Sequence, residues 1–298
     1  MLPKRFQRWA LVTWISTLGL VMIGSFVRAS GSGLGCPDWP TCFGQWIPPT
    51  HVSQLPADYQ THYAHLDSVV FNPLKTWVEY LNRLAGVIVG LLALSLAGWA
   101  VIARRQLAKG VPLLCGLILA AISVQGWIGA KVVSSDLAPY MISIHMVMAT
   151  WIVVMQGIVV ALSTPAESCR PTPLYGLYAM AALIQWVGGL RVRQGVDHGI
   201  SLQSMGNPLY FHLLMGIWVL IVGWRWGSHL GRRPLRYVLW GMLAGQLITG
   251  AWFYGVGLTQ WLQPIHLMGG ILAIGIVAYW STRLWQSSRI SHPSPEPR

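Results

Sequence analysis

Apolar residues in this chain fall into long, nearly unbroken runs separated by short polar segments. Eight runs, at 9–29, 74–103, 110–132, 140–163, 174–192, 207–226, 235–256 and 263–284, reach the roughly 20 residues that an α-helix needs to span a bilayer. The pattern predicts an all-α integral membrane protein of eight transmembrane helices. The long polar segment 30–72 is read as a loop between the first two.

Composition supports this, since 54% of the residues are hydrophobic and 9% are charged, far from a soluble norm. A net charge of +12 would suggest a nucleic-acid partner in a soluble protein, but the placement of the charge excludes nucleic acid. With the N-terminus in the cytoplasm, the inner segments hold Lys4, Arg5, Arg8, Arg104, Arg105, Lys109, Arg170, Arg225, Arg232, Arg233, Arg236, Arg283, Arg289 and Arg298. These are 14 of the 20 Lys and Arg, and segment 29–74 has none. The bias predicts both termini inside and loop 30–72 outside, in a bacterial plasma (inner) membrane. The first run could be read as a signal peptide. It is longer than a typical signal core, and cleavage would leave seven spans with the termini on opposite sides.

Cys36 and Cys42 stand six residues apart in the outer loop, where an oxidising compartment favours a disulfide. Closing so short a loop contributes about 2 kcal/mol by chain entropy, so its role is local shape. Cys115 and Cys169 are read as ordinary thiols.

A weak internal repeat is present. Asn72-Pro73-Leu74 opens the second run and Asn207-Pro208-Leu209 opens the sixth, while Asn82 and His212 each have a glycine four residues on. His145 and His266 each follow a proline, Pro139 and Pro264. The economical reading is two four-helix bundles in tandem, 1–165 with the outer loop and 166–298.

Of nine histidines, only His145, His212 and His266 fall within the runs. An ionisable residue inside a membrane is costly, so function is its default reading. A single buried histidine is more economically explained by a hydrogen bond to a neighbouring helix. Three, each one to two turns from the outer boundary and so roughly 7–10 Å deep, point to ligation of a haem plane between facing helices. The basic residues outside the inner segments are Arg28, Lys75, Arg83, Lys131, Arg191 and Arg193. They are candidate partners for haem propionates, with lipid snorkelling as the alternative for each. Glu79, the acidic residue read as lying within a run, shares a helix face with Asn82 and Arg83. A Glu79–Arg83 ion pair is its structural alternative.

Val27-Arg28 followed by Gly31-Ser32-Gly33-Leu34-Gly35-Cys36-Pro37-Asp38-Trp39-Pro40-Thr41-Cys42, then Gln125-Gly126-Trp127-Ile128-Gly129 leading to His145, then His212 and His266, resemble the haem A synthase family over nearly the whole chain. The resemblance implies oxidation of the C8 methyl group of haem O to the formyl group of haem A for terminal oxidases, by two successive oxygenations and loss of water. It implies a haem b cofactor in the second half, ligated by His212 and His266. It places the substrate haem O in the first half, with His145 as an iron ligand and Glu79, Asn82 and His145 forming the catalytic site. Haem O synthase and terminal oxidase assembly are the implied protein partners, beside membrane lipid.

The family's Glu-x-x-His-Arg signature is Glu79-Tyr80-Leu81-Asn82-Arg83 in this chain, so one axial histidine is replaced by Asn82, a poor iron ligand but a competent hydrogen-bond partner. Either the first-half haem is held by His145 alone with an open face beside Asn82, or that half has lost catalysis. An electron carrier of cytochrome b type and a haem delivery or assembly factor are the competing functions. In segment 43–71, His51, His62 and His65 are read as solvated loop residues.

Overall fold

The computed structural model describes residues 2–63, 70–165, 173–227 and 233–291. Cys169, Arg170, Arg232, Arg298, His65 and the side chains of Arg233, Arg236 and Arg289 lie outside the described residues. Among the described residues there is no strand. The helices are α1 (Leu2–Ala29), the single turn α2 (Tyr59–His62), α3 (Pro73–Ile102), α4 (Val111–Ser134), α5 (Pro139–Leu162), α6 (Pro173–Asp197), α7 (Asn207–Gly227), α8 (Arg233–Gly255) and α9 (Leu262–Ser291).

Their starts follow from local chemistry. Proline occupies the first turn of α3, α4 and α5, where a missing N–H costs nothing. Asn72 caps α3 by accepting from the Lys75 N–H at 3.1 Å. By length and composition, α1, α3, α4, α5, α7 and α9 can cross a membrane. Helices α6 and α8, both expected as spans, fall outside that set. α6 carries Arg191, Arg193 and Asp197 near its end, and α8 interposes Gln246 and Thr249. Large apolar side chains face outward, as Val87, Ile88, Leu91 and Leu94 do on α3. That is the pattern of a multi-pass membrane protein, whose outer surface meets lipid rather than water.

Helices α1, α3, α4 and α5 pack in a ring in that order, and α6, α7, α8 and α9 pack in another; α9 joins the two by lying against α5 and α1. The junction is built from small residues. A methyl group added at Gly157 on α5 would stand 3.2 Å from the Gly275 carbonyl oxygen on α9, so the two backbones touch. The Trp14 indole covers both glycines and donates to the Val153 carbonyl at 3.0 Å. Beside it, the buried Gln156 amide donates to Thr17 Oγ1 at 2.9 Å and ties α5 to α1.

Candidate functional site

Three histidines and Asn82 occupy corresponding places, each on one helix and each faced by a glycine of the preceding long helix. A Cβ at Gly129 on α4 would lie 3.4 Å from His145 Cε1 on α5. At Gly189 on α6 it would lie 3.2 Å from His212 Cε1 on α7, and at Gly250 on α8 it would lie 3.6 Å from His266 Cε1 on α9. At Gly24 on α1 it would lie 3.6 Å from Asn82 Oδ1 on α3. Four residues before each histidine-facing glycine stands a glutamine: Gln125, Gln185 and Gln246. The same position before Gly24 is Leu20. This Gln-x-x-x-Gly spacing puts both residues on one helix face. It was legible in the sequence as a threefold recurrence, but only the first copy is singled out by the resemblance.

In the second ring the rings of His212 and His266 face each other with centroids 6.3 Å apart, at an interplanar angle of 70°. An iron held by both imidazole nitrogens at about 2 Å each separates two ring centroids by roughly 6 Å, so this donor pair fits a haem iron. The ring of His266 is held on its other nitrogen. Thr249 Oγ1 lies 2.8 Å from His266 Nδ1 and donates to the Gly245 carbonyl at 2.7 Å. Around His212, the Gln185 amide nitrogen is 3.5 Å from Nε2. His212 Nδ1 and Gln185 Oε1 are buried and have no hydrogen-bond partner among the described residues.

The first ring presents His145 Nδ1, Asn82 Oδ1 and Gln125 Oε1, also buried and unpartnered among the described residues. Gln125 Nε2 donates to the His145 carbonyl at 3.0 Å. Over them sits the loop between α1 and α3, closed by a Cys36–Cys42 disulfide. Glu79, 4% exposed, takes the Cys36 N–H at 2.8 Å on one carboxylate oxygen. Its other oxygen takes Arg83 Nη2 at 2.7 Å. Arg83 also donates to the carbonyls of Asp38 at 2.6 Å, Thr41 at 2.9 Å and Cys36 at 2.8 Å. Gly35 lets the loop lie on the start of α3, because a Cβ there would fall 2.3 Å from the Lys75 carbonyl oxygen. Within the loop, Asp38 accepts from the N–H groups of Phe43 and Gly44. Burial, and then the nearby Asp38 carboxylate, push the Tyr63 phenol up to about 12.

The expected propionate partners are thus distributed unevenly. Arg83 is committed to the loop, and Lys131 and Arg191 are exposed, with Lys131 Nζ 5.8 Å above the Trp127 ring. Arg28 and Arg193 converge on Asp197 at the end of α6, Arg193 Nε at 3.1 Å from Oδ1. Arg193 reaches Gln263 of α9 as well, at 3.3 Å. Asp197 was missed by sequence reasoning because the apolar run ends at 192, whereas the helix continues through its charged last turn. His51 and His62 are exposed, as read.

A family model described as COX15-CtaA, cytochrome oxidase assembly protein, matches residues 7–191. The chain is 29% identical to a haem A synthase of Shewanella oneidensis over 192 residues, 61% of this chain and 55% of that protein. It is 23% identical to a haem A synthase of Sphingopyxis alaskensis, over 98% of this chain and 95% of that protein. With the haem A synthase of Geobacillus kaustophilus it shares 22% identity, over 93% and 90% of the two chains.

Proposed function

The chain belongs to the COX15-CtaA family of cytochrome oxidase assembly proteins, and from that premise we propose that it is a haem A synthase, an oxidoreductase converting the C8 methyl group of substrate haem O to the formyl group of haem A. The chain takes up eight membrane crossings, α6 and α8 included, with both termini in the cytoplasm of a bacterial inner membrane. Residues 1–165 and 166–298 form two pseudo-symmetric bundles, a reading supported by the two helix rings and by the four equivalent glycine contacts.

The facing pair of imidazoles carries this reading. His212 and His266 would hold haem b, whose iron supplies one-electron chemistry when bound. His266 offers Nε2 because its Nδ1 is engaged by Thr249, and His212 becomes free once the Gln185 amide turns aside. Arg28 and Arg193, placed where the two rings meet, are the propionate partners best positioned to serve, with Asp197 balancing their charge.

In the first bundle His145 would ligate the iron of substrate haem O, and Asn82 would offer the site an acceptor oxygen that has no donor among the described residues. Glu79 stands one turn outward of Asn82, and its two bonds keep the disulfide loop seated over this site. Its carboxylate is also the nearest proton-accepting group on that helix face. Haem O synthase and the terminal oxidase assembly machinery are the partners this activity requires, to deliver the substrate and to take the product.

The test is expression in a strain that accumulates haem O, with pigment extraction. Wild type is expected to yield haem A, and His212→Ala is expected to lose the low-spin haem spectrum. An unchanged spectrum in His212→Ala would sink the haem b assignment, and absence of haem A with wild type would replace the enzyme by a haem-binding carrier.

A further inference from the structure

The three Gln-x-x-x-Gly segments share only the glutamine and the last glycine, and they differ in what the residue just before that glycine can offer a histidine. That residue is Thr249 beside His266, Ile128 beside His145 and Gly188 beside His212. Thr249 is 8% exposed and its hydroxyl has one proton, which it shares between the carbonyls of Gly245 at 2.7 Å and Gln246 at 3.1 Å. Its oxygen therefore meets His266 Nδ1, 2.8 Å away, as an acceptor. The proton must then sit on Nδ1, which leaves the Nε2 lone pair free and fixes the ring plane. Ile128, 6% exposed, has no polar atom to offer, and His145 Nδ1 is buried without a partner among the described residues.

We propose that Thr249 is a positioning residue that locks the ligating tautomer of His266, giving the second bundle one locked imidazole beside the unlocked His212, and that Ile128, its counterpart, leaves His145 unlocked and the first bundle with none, so that the second bundle retains its haem while the first exchanges one. An imidazole whose distal N–H is accepted by a fixed oxygen is a stronger and better oriented donor, and loss of such an outer partner typically costs 10–100-fold in metal affinity. An enzyme that keeps a cofactor in one bundle and turns over a haem in the other needs this asymmetry. The inference rests on the reading that His266 is a haem ligand.

The experiment uses the purified haem-loaded protein, and reads the midpoint potential of its low-spin haem and the rate of haem loss to an excess of apo-globin. Thr249→Val is expected to keep the low-spin spectrum, raise the potential, and release that haem about tenfold faster or more. Thr249→Ser should restore both values. Ile128→Thr should slow haem release from the first bundle without moving the second haem's potential. If Thr249→Val folds poorly, Thr249→Ala, which removes the hydroxyl without a β-branch, takes its place. Wild-type potential and release rate in the hydroxyl-free variant overturn the tautomer lock, while unchanged release in Ile128→Thr overturns the exchange half of the proposal. His266→Ala separates these from the underlying reading, because a low-spin spectrum surviving in it removes His266 as a ligand altogether.

Discussion

Leaving a buried polar atom without a partner costs about 1–3 kcal/mol, and the first bundle leaves His145 Nδ1, Asn82 Oδ1 and Gln125 Oε1 in that state. A purely structural cluster would have been satisfied by neighbouring helices, as the Trp14 indole N–H is by the Val153 carbonyl. The proposed substrate site gives these groups a reason to exist. Asn82→His should therefore convert a first-bundle haem to bis-histidine ligation, seen as a second low-spin signal by electron paramagnetic resonance. A spectrum identical to wild type would place Asn82 away from the iron. Glu79→Gln tests a different element of the site. Gln can still accept the Cys36 N–H but no longer balances Arg83, so haem should stay bound while haem A formation falls; wild-type yield would make Glu79 a loop anchor alone. In the loop between α1 and α3, Tyr63 has a raised pKa. The stability this contributes is complete below the ordinary value of 10 and is lost as pH rises towards about 12. Tyr63→Phe should abolish that alkaline loss, measured as protease sensitivity of the loop. The three histidines were legible in the sequence because ionisable residues within apolar runs are conspicuous. Thr249 and Gln185 were not, because a threonine or glutamine in a helix is common and only its neighbour across the bundle gives it a role.

At the scale of elements, the apolar runs located the long helices because a bilayer demands length and continuity, and prolines mark where several begin. The ends were harder. The charged last turn of α6 lies beyond the apolar run, and only the convergence of Arg28 and Arg193 on Asp197 explains why the helix persists there. The close crossing of α5 and α9 was also hidden, since a glycine within an apolar run does not say which helix it admits. Gly275→Leu tests the crossing. A Cβ at 275 already meets Trp14 at 3.1 Å and Val153 at 3.2 Å, and overpacking of a tight core typically costs about 1–3 kcal/mol. The variant should lower the unfolding temperature in detergent by several degrees, and an unchanged temperature would mean that the crossing yields freely. Gly241→Leu on α8, where no atom lies within 4 Å of the added Cβ, is the control expected to be neutral.

For the whole molecule, the two rings are joined by a path that runs the depth of the bundle. At the end where α1 begins, the Thr164 carbonyl accepts from Arg283 Nη1 of α9 at 3.1 Å, and the Thr164 hydroxyl accepts from Gln7 of α1 at 3.0 Å. In the middle stand Trp14, Gly157 and Gly275, and at the opposite end Arg28 of α1 meets Asp197 of α6. The Arg28–Asp197 contact is the one most exposed to electrostatic failure. Asp197 has a side chain 2% exposed and serves two guanidinium groups. In the haem-free protein, Asp197→Asn leaves those two positive charges facing each other with no counter-ion between them. Breaking a buried pair from one side costs about 3–5 kcal/mol, much of it the uncompensated charge that remains. The variant should therefore be clearly less stable in detergent than wild type. Adding Arg28→Gln should recover part of that loss rather than deepen it, because one of the unpaired charges is then gone. The double-mutant cycle measures this directly. Strictly additive losses would show that Arg28 and Asp197 are neighbours without being coupled, and the tie between the two rings at that end would have to be assigned to Arg193 and Gln263 instead.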